Sequence, residues 1–488
     1  MVGKVTTTKQ TGNGQRHNFL LEAKIVAVLA AITVVLIIAA FYRATLIYSF
    51  NLNEGWNAII TKHFVDGKPI YYPLGGIPFT NNYPPLSFII VRPLCYLIHD
   101  AVFAGRLVAT SAFIAVIVII VAIVHCIQRD TVAALTAGLT FALLMLLNSS
   151  HYVGADDPQM LAHAVMLLGL YVYVRCATAW WSTILAAALI CVGLFIKHNP
   201  IALPIAMALW LLAYDRPGFT RFASTGAAAT LVGLALCVKI FGPFFLPSLL
   251  IPRTFSLGKA QRDLVYYLSP IKLSLMLMML PVALRVQDRW TWLFVLYVAT
   301  AIAICGLSAG GDGVGSNAQF EVIIAVALSS GHALSRVGTV AGPQMPALRI
   351  WVLAGCVLSA VWSPGTDAAK DVFLQPRSWL ADLQAKQAET LRVVSIIAVR
   401  PGPALCQNLV YCYWANKQPA GDLFNFRSAW KAGVVSDSEF VKKISDGSYD
   451  VVELQQLGAI TEGMGSALRT RYRRLENGPA SVILYVKN

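Results

Sequence analysis

Charged residues are scarce in this chain. Asp, Glu, Lys and Arg together make up 13% of its 488 residues, whereas a soluble globular domain carries about 25%. Hydrophobic residues make up 57%, and the mean hydropathy is +0.64. Apolar runs of about 18–20 residues, long enough to span a bilayer as helices, recur along most of the sequence. The composition excludes an ordinary soluble protein and predicts an all-α polytopic membrane bundle.

Sequence signals for metal, nucleotide and export are also missing. No Cys-x-x-Cys pair or His/Cys cluster has zinc spacing, so no metal ligand is assigned. The glycine-rich stretch at 310–315, GGDGVG, lacks the Lys and Ser/Thr of a phosphate-binding P-loop and follows no βαβ pattern, so we expect no nucleotide site. The N-terminus is polar for about 20 residues and the first apolar run is long enough to span, so no cleavable signal peptide is expected.

Basic residues outnumber acidic ones by 38 to 24, which gives a net charge of +14. Most of them lie in short loops between apolar runs, so membrane lipids rather than nucleic acid are the expected partners. The positive-inside rule then predicts about eleven spans, with the N-terminus cytoplasmic and the C-terminus outside. The outer loop 247–272 breaks this rule because it contains four basic residues, which are Arg253, Lys259, Arg262 and Lys272. A breach of a topology rule suggests a functional reason.

The predicted organisation has three parts: a flexible basic tail at 1–24, a membrane domain at 25–364, and a small α/β domain on the outer side at 365–488. In the last part, apolar and β-branched runs predict strands at 392–399, 449–454 and 480–486. Helical periodicity predicts helices there at 436–445 and 463–474. The polar part also contains Cys406 and Cys412, which form either a local disulfide or two free thiols.

The segment 51–86, which follows the first apolar run, is long and aromatic, whereas a plain connector is short and polar. We interpret it as the roof of an active site at the membrane surface. Residues 54–65 predict a short helix along the interface, with four side chains towards lipid, namely Trp56, Ile59, Ile60 and Phe64. The apolar stretch 84–99 is interrupted by Arg92 and Pro93, which favours an interfacial or re-entrant segment over a full span.

Ionisable residues gather at the predicted outer face, where charge near a bilayer is usually paired or functional. Acidic residues come from separate segments, namely Glu54, Asp156, Asp157, Asp312 and Glu321. This set suits transfer of a sugar from a lipid-linked phosphate. Such a donor needs cations for its phosphate, an acceptor hydroxyl needs a carboxylate as general base, and a polyprenyl tail needs a groove among helices.

Glu54 is therefore the candidate general base, and Asp156 or Asp157 is the second catalytic candidate. Lys197 and Arg262 are candidates for the donor phosphate. The other candidate substrate-binding residues are Trp56, Asn57, Tyr83, Arg106, His198, Arg253, Lys259, Asp312, Asn317 and Glu321. Asn317 and Glu321 are four residues apart, so they share a helix face at the outer mouth.

Each candidate also has a plainer interpretation. Glu54 can be an ordinary acidic residue at a helix N-terminus, and Asp157-Pro158 suits a helix start with Asp157 as the cap. Lys197 and His198 can simply mark a membrane exit, and the aromatic residues can form an interfacial belt. At the level of the whole chain, the alternative is a transporter or flippase of a lipid-linked saccharide. A transporter usually shows internal repeats and midplane charges, and the sequence has no convincing repeat.

Several motifs, in their order and spacing, resemble the GT-C glycosyltransferase superfamily. They are NEGWNA after the first span, NYPPL, GRL, ADDPQ, LFIKHNP and GGDGVGSNAQFE. The resemblance covers about residues 25–335 and is nearest to bacterial members related to protein O-mannosyltransferases and to the lipid A aminoarabinose transferase. It implies a GT-C bundle with two interfacial helices in the first outer loop. It also implies an inverting transfer from a polyprenyl-phosphate sugar to a glycan, lipid or protein acceptor, in a bacterial inner membrane.

The resemblance also implies roles for individual residues. The family has an acidic pair in the first outer loop, and here the pair is Asn53-Glu54, so that only Glu54 ionises. The second acidic position falls on Asp156 or Asp157, and Lys197 corresponds in order to a family lysine that contacts phosphate. The sequence does not require a divalent cation, and it leaves the cofactor, the sugar and the acceptor unnamed.

Overall fold

The computed structural model describes residues 10–73, 80–284, 288–340, 346–361, 366–476, 479 and 481–488. A helical bundle comes first and a small mixed domain follows it. The helices of the bundle are α1 Gln10–Ala44, α2 Leu52–Val65, α3 Leu86–Ile98, α4 Ala101–Gln128, α5 Thr131–Asn148, α6 Gln159–Arg175, α7 Trp181–Ile196, α8 Ala202–Tyr214, α9 Arg216–Phe241, α10 Phe245–Leu249, α11 Leu257–Leu268, α12 Lys272–Met278, α13 Leu280–Ala283, α14 Arg289–Ala309, α15 Phe320–Val340 and α16 Pro346–Val361. Two further helices, α17 Thr366–Leu374 and α18 Pro376–Ala398, lead into the C-terminal domain.

Seven helices in the described part of the chain are long and apolar enough to cross a membrane. Their spans are Leu20–Ala44, Ala101–Gln128, Thr131–Asn148, Arg216–Phe241, Leu257–Ala283, Arg289–Ala309 and Ser316–Val337. Four shorter apolar helices, α3, α6, α7 and α8, lie among them. The chain is therefore a multipass membrane protein, and the number of eleven spans stays a prediction.

Helices α5 and α15 form the centre of the bundle. The apolar windows of these two spans are 78% and 94% buried, whereas that of α9 is 6% buried and faces outward. The two central helices approach closely because a glycine lies between them. A Cβ on Gly331 of α15 would stand 2.7 Å from the carbonyl oxygen of Ala133 in α5. Close packing through small residues is how helices associate in lipid.

The first helix begins earlier than the sequence predicted. α1 starts at Gln10, so the prediction of a flexible tail is wrong for residues 10–24. One reason lies in the ion pair between Glu22 and Arg349 of α16, at 2.9 Å, with Arg349 also bound to Asp130. This contact ties the early turns of α1 to the bundle.

The C-terminal domain is a four-stranded sheet with helices on both faces. The strands are β1 Ala404–Cys406, β2 Val451–Leu454, β3 Tyr472–Arg474 and β4 Ile483–Lys487, in the order β1-β2-β4-β3. β1 and β2 are parallel and the other pairs are antiparallel. The helices are α19 Leu409–Trp414, α20 Leu423–Lys431, α21 Ser438–Ser445 and α22 Glu462–Arg471. Cys406 and Cys412 form a disulfide between β1 and α19, which is the first of the two alternatives.

The predicted elements of this domain agree with the structure in part. Strands at 449–454 and 480–486 correspond to β2 and β4, but the predicted strand at 392–399 is wrong because these residues belong to α18. Val393 and Ile397 are four residues apart, so they bury one face of that helix against α19 and the sheet. Residues 463–474 are helical only as far as Arg471. The predicted domain boundary at 364 lies outside the described residues.

Helix α2 does not turn its apolar side chains to lipid as predicted. Trp56, Ile59 and Ile60 are buried, because they pack in one cluster with Phe88 of α3 and Phe245 of α10 in the bundle and with Leu409 of α19 in the C-terminal domain. Helices α2 and α19 meet at backbone distance: a Cβ on Gly55 would stand 2.1 Å from the backbone nitrogen of Val410 in α19. We call the end of the bundle that the domain covers the domain end.

Candidate active site

Helix α2 positions the first group of candidate residues at the domain end. Asn51 caps the helix, because its side chain accepts a hydrogen bond of 3.0 Å from the backbone nitrogen of Asn53. Glu54 lies in the first turn, where the helix dipole favours an acidic side chain. The predicted helix at 54–65 is thus confirmed, with its start two residues earlier.

The carboxylate of Glu54 is fully buried in an ion pair with Arg106 of α4. Arg106 Nε lies 2.8 Å from Glu54 Oε1, and Arg106 Nη2 lies 2.9 Å from Oε2. Glu54 also accepts hydrogen bonds from the backbone nitrogens of Phe50, at 2.7 Å, and Asp156, at 3.2 Å. Every favourable acceptor position of this carboxylate is therefore in use, and the pair fastens α2 to α4.

Arg106 makes further contacts on its other side. Its guanidinium donates hydrogen bonds to three backbone carbonyls, those of Ala44, Leu46 and Tyr48. Arg106 was predicted to bind substrate, but its donors are directed to Glu54 and to the chain that links α1 with α2. In the structure, Arg106 therefore holds α2 and the chain that links α1 with α2 against α4.

Asp157 has a looser environment, just before α6. Its Oδ1 accepts a hydrogen bond of 2.8 Å from the backbone nitrogen of Gln159, the first residue of α6, while Pro158 takes the N-cap position that was predicted for Asp157. Its Oδ2 accepts one of 3.1 Å from Asn53 Nδ2. Lys197 Nζ lies 3.5 Å from Asp157 Oδ1, beyond ordinary hydrogen-bond length.

Lys197, which follows α7, is buried beneath an aromatic ring. Its Nζ lies 3.6 Å from the ring centroid of Tyr83, a cation–π contact. Burial lowers the pKa of Lys197 to about 8, although the nearby Asp157 carboxylate opposes the shift. Asp157 and Lys197 thus form a second buried ion pair, with Tyr83 as its cover.

Asp156 is buried on the opposite side of the same loop. Its Oδ2 has no hydrogen-bond partner among the described residues. Burial raises the pKa of Asp156 well above its usual range, and the neighbouring Glu54 and Asp157 carboxylates add to the shift. The backbone carbonyl of Asp156 accepts a hydrogen bond of 2.6 Å from Asn57 Nδ2, so Asn57 fastens this loop to α2.

A cavity lies at the domain end, between the bundle and the C-terminal domain. Five predicted site residues line it: Trp56, Tyr83, Arg253, Asn317 and Glu321. The cavity wall also includes Asn53 and Gln159, the two direct partners of Asp157. The pair Asp157–Lys197 therefore lies one side chain behind the wall, whereas Glu54, Asp156, Asn57 and Arg106 are not part of it.

Arg253 is the cation that faces this cavity. One guanidinium nitrogen, Nη1, donates to the backbone carbonyl of Asp312 at 3.2 Å, and Nη2 donates to Asn425 Oδ1 at 3.2 Å. Among the described residues no carboxylate side chain pairs with it. Glu321 also lines the cavity, but its oxygens accept hydrogen bonds from the backbone nitrogens of Ala202 and Leu203, at 3.1 Å each.

The remaining predicted residues lie outside the cavity wall. Lys259 pairs with Asp263 at 2.9 Å, and Arg262, with a side chain 73% exposed, lies 3.5 Å from the same carboxylate. Asp312 pairs with Lys431 and accepts a hydrogen bond from Ser428, so it docks the C-terminal domain. Burial lowers the pKa of His198 to about 4, which keeps this imidazole neutral at pH 7.

The sequence did not identify the contribution of the C-terminal domain to the cavity. Gln407, Asp422, Phe424 and Asn425 all line it. The stretch GDLFN shows a capping Asp before a helix, and Asp422 does accept hydrogen bonds from the backbone nitrogens of Phe424 and Asn425. Nothing in that pattern indicates that the helix start faces a cavity.

Metal-binding residues were not predicted. Within the described ranges, no three His, Cys, Asp or Glu side chains are grouped closely enough to hold a metal ion. In the first outer loop, the amide of Asn53 stands beside Glu54, where the resemblance implies a pair of carboxylates.

The fold and the site define a class: a multipass helical membrane protein with a charged cavity enclosed beneath a small α/β domain. No protein-family model and no curated protein matches the chain. Among solved structures, the chain is similar to ArnT from Cupriavidus metallidurans, both in the apo state (TM-score 0.62) and bound to undecaprenyl phosphate (TM-score 0.61). In both comparisons the identity is 14%, with 94% of this chain and 97% of the ArnT chain covered. The chain therefore has the fold of ArnT, as the resemblance implied.

Proposed function

We propose that this protein is a membrane glycosyltransferase that moves a sugar from a polyprenyl-phosphate donor to an acceptor hydroxyl. One observation carries the proposal: a buried Asp157–Lys197 pair lies directly behind the wall of a cavity that Arg253 faces. A general base and two cations near one cavity are what this reaction needs. The ArnT-like fold supports it, since ArnT has been solved with undecaprenyl phosphate bound.

Arg253 and Lys197 bind the donor phosphate in this proposal. Arg253 faces the cavity with no carboxylate partner among the described residues, so a phosphate can take that place. Lys197 is held 3.5 Å from Asp157 and beneath the Tyr83 ring. Movement of the Tyr83 ring exposes the ammonium group to the cavity, and the phosphate then compensates the cost of its burial.

Asp157 rather than Glu54 acts as the general base. Glu54 accepts four hydrogen bonds, two of them from Arg106, and is not part of the cavity wall. Asp157 takes the proton of the acceptor hydroxyl as that oxygen bonds to the anomeric carbon. The bond from the anomeric carbon to the phosphate oxygen breaks on the opposite face, polyprenyl phosphate leaves, and the anomeric centre inverts.

The proposed setting is a bacterial inner membrane, with the N-terminus in the cytoplasm and the C-terminal domain in the periplasm. The excess of basic residues in the short loops of the other face supports this orientation. The disulfide Cys406–Cys412 also suits an oxidising compartment. The donor and acceptor are then lipid-linked sugar and an envelope glycan, lipid or protein.

The test uses protein reconstituted in liposomes and radiolabelled polyprenyl-phosphate sugars, with bacterial membranes as the source of acceptors. Wild type transfers label, Asp157→Asn lowers the turnover number by about 10²–10⁴-fold, and the matched control Asp446→Asn, at the end of α21, has no effect. If no donor is consumed and lipid-linked sugar instead moves between leaflets, the protein is a flippase. Equal transfer by wild type and Asp157→Asn would keep the enzyme class and reject Asp157 as the base.

A further inference from the structure

The cavity wall has two halves of different chemistry. The half from the bundle contains Arg253, and the Asp157–Lys197 pair lies behind it. The half from the C-terminal domain contains no cation: it consists of Gln407, Leu409, Asp422, Phe424 and Asn425. Amides, a carboxyl group and an aromatic ring are groups that bind hydroxyls and cover the apolar face of a sugar ring, whereas they offer little to a phosphate.

We propose that the C-terminal domain binds the sugar of the lipid-linked donor through the ring of Phe424 and the side-chain amide of Gln407, with Asp422 and Asn425 as positioning residues. This proposal rests on the proposed function and adds the part of the protein that recognises the donor sugar.

The two positioning residues form a rigid link between the domain and the bundle. Asn425 Nδ2 donates to Asp422 Oδ2 at 2.5 Å and to the backbone carbonyl of Thr80 at 3.4 Å, while Asn425 Oδ1 accepts from Arg253 Nη2 at 3.2 Å. Asp422 and Asn425 are both buried. Because all these polar groups are engaged, they hold the start of α20 in place and leave direct contact with ligand to their neighbours.

Gln407 and Phe424 are the neighbours with free binding capacity. Gln407 Oε1 accepts a hydrogen bond of 2.7 Å from the backbone nitrogen of Gln455, which fixes the amide plane. Its Nε2 has no hydrogen-bond partner within the described ranges, so two donors remain for a sugar hydroxyl. Phe424 is half-buried and packs against Gly313, where a Cβ would stand 2.8 Å from the ring. Glycine at this position lets the ring lie close to the bundle.

The position of this wall favours binding of the donor sugar rather than of the acceptor. In the donor the sugar is bonded directly to the phosphate, so it must lie beside whatever binds the phosphate. Asn425 is in direct contact with Arg253, the proposed phosphate ligand. The wall that begins at Asn425 is therefore the surface that the donor sugar meets first.

The test compares the binding of undecaprenyl phosphate with that of its mannosyl and glucosyl esters, for protein in nanodiscs. The measured quantity is the sugar gain, which is the dissociation constant of undecaprenyl phosphate divided by that of the glycosyl ester. Wild type shows a gain for at least one ester, and Phe424→Leu and Gln407→Glu each reduce it by about five- to tenfold. Gln407→Glu keeps the oxygen that binds Gln455 and removes the two donors. The affinity for undecaprenyl phosphate is measured for each variant as well, so that the ratio accounts for any repulsion between the phosphate and the carboxylate that Gln407→Glu introduces.

Matched controls come from the same elements. Trp430→Leu changes an exposed aromatic residue on α20, and Gln455→Glu changes an exposed amide beside Gln407. Both keep the wild-type sugar gain. The inference is overturned if the two test variants retain the gain, or if wild type binds both esters no better than undecaprenyl phosphate. Failure of the proposed function would show separately in the liposome assay, where wild type would transfer no labelled sugar whatever its sugar gain.

Discussion

Two buried ion pairs lie next to each other at the domain end, and their surroundings differ. Glu54 and Arg106 meet through two contacts of 2.8 and 2.9 Å, and backbone groups fill the remaining positions on both sides. Asp157 and Lys197 are equally buried but lie 3.5 Å apart. Lys197 has three donors, yet among the described residues its Nζ has only this long contact and the face of the Tyr83 ring.

The difference separates a structural pair from one suited to chemistry. A buried pair stabilises only when its geometry is good and its other hydrogen-bonding positions are filled. The Glu54–Arg106 pair meets that condition. The Asp157–Lys197 pair does not, and its incomplete bonding lies directly behind a cavity wall, which is where groups that must exchange partners with substrate are needed.

The largest expected effect is on the Glu54–Arg106 pair. Arg106→Leu leaves the Glu54 carboxylate buried without its cation, so we expect the free energy of unfolding to fall by about 3–5 kcal/mol. Thermal unfolding in detergent, followed by tryptophan fluorescence, measures the change. The control Arg377→Leu removes an exposed arginine of α18 and leaves the transition in place. An unchanged transition for Arg106→Leu would show that this pair is not structural. The distinction between a structural Glu54–Arg106 pair and a functional Asp157–Lys197 pair would then be wrong.

The second prediction separates catalysis from stability. Asp157→Asn retains an oxygen for the backbone nitrogen of Gln159, and Lys197, whose pKa is already about 8, can release its proton when its carboxylate partner is removed. The unfolding temperature therefore falls only slightly, while the turnover number falls by about 10²–10⁴-fold. Glu54→Gln, in contrast, lowers the unfolding temperature, and activity falls because less protein is folded. Parallel measurement of turnover and unfolding for both variants gives the answer. If Glu54→Gln folds like wild type and loses turnover to the same extent as Asp157→Asn, the roles of the two carboxylates are reversed.

The two pairs also explain what the sequence could and could not predict. Glu54 was found because an acidic residue at a helix start after the first span is visible in the sequence. The burial of Glu54 was not predicted, because the groups around its carboxylate come from distant segments, namely Arg106 of α4 and the backbone of Asp156. Likewise, β-branched residues at 392–399 predicted a strand, and the packing of Val393 and Ile397 on one helix face overrode that preference.

The basic outer loop shows the same limit. Its breach of the positive-inside rule singled out Arg253, and the structure places this residue in the cavity wall, while its binding role stays a prediction. The same reasoning proposed Lys259 and Arg262. Lys259 instead binds Asp263 and the backbone carbonyls of Ala309 and Val314, and Arg262 is largely exposed beside Asp263. Sequence composition places charge in a segment, whereas the direction of each side chain depends on neighbours such as Asp263.

The third prediction concerns pH and the Asp157–Lys197 pair. The pKa of Lys197 is about 8, so its ammonium is charged below that pH and neutral above it. The affinity for undecaprenyl phosphate therefore falls as pH rises through about 8, approaching tenfold per pH unit at higher pH. The phosphate itself is fully ionised over this range, since its second pKa is about 6.

The matched variant for this titration is Lys197→Arg, whose guanidinium stays charged at every pH tested. Its binding curve between pH 7.5 and 9.5 stays flat, measured by competition with labelled undecaprenyl phosphate in nanodiscs. A wild-type curve as flat as that of the arginine variant would exclude Lys197 from phosphate binding and would make the Asp157–Lys197 pair structural, like its neighbour.

The smallest expected effect comes from a third ion pair, on the same helix as Glu54. Lys62 and Asp66 lie 2.5 Å apart, closer than either buried pair, but the Lys62 side chain is 51% exposed. Water screens both charges there, so Lys62→Ala lowers the free energy of unfolding by only about 0.3–0.5 kcal/mol. The same fluorescence unfolding experiment in detergent measures it, beside Arg106→Leu, at low and high salt. A loss for Lys62→Ala near that of Arg106→Leu would mean that distance rather than burial governs these pairs, and the long Asp157–Lys197 contact would then have no special meaning.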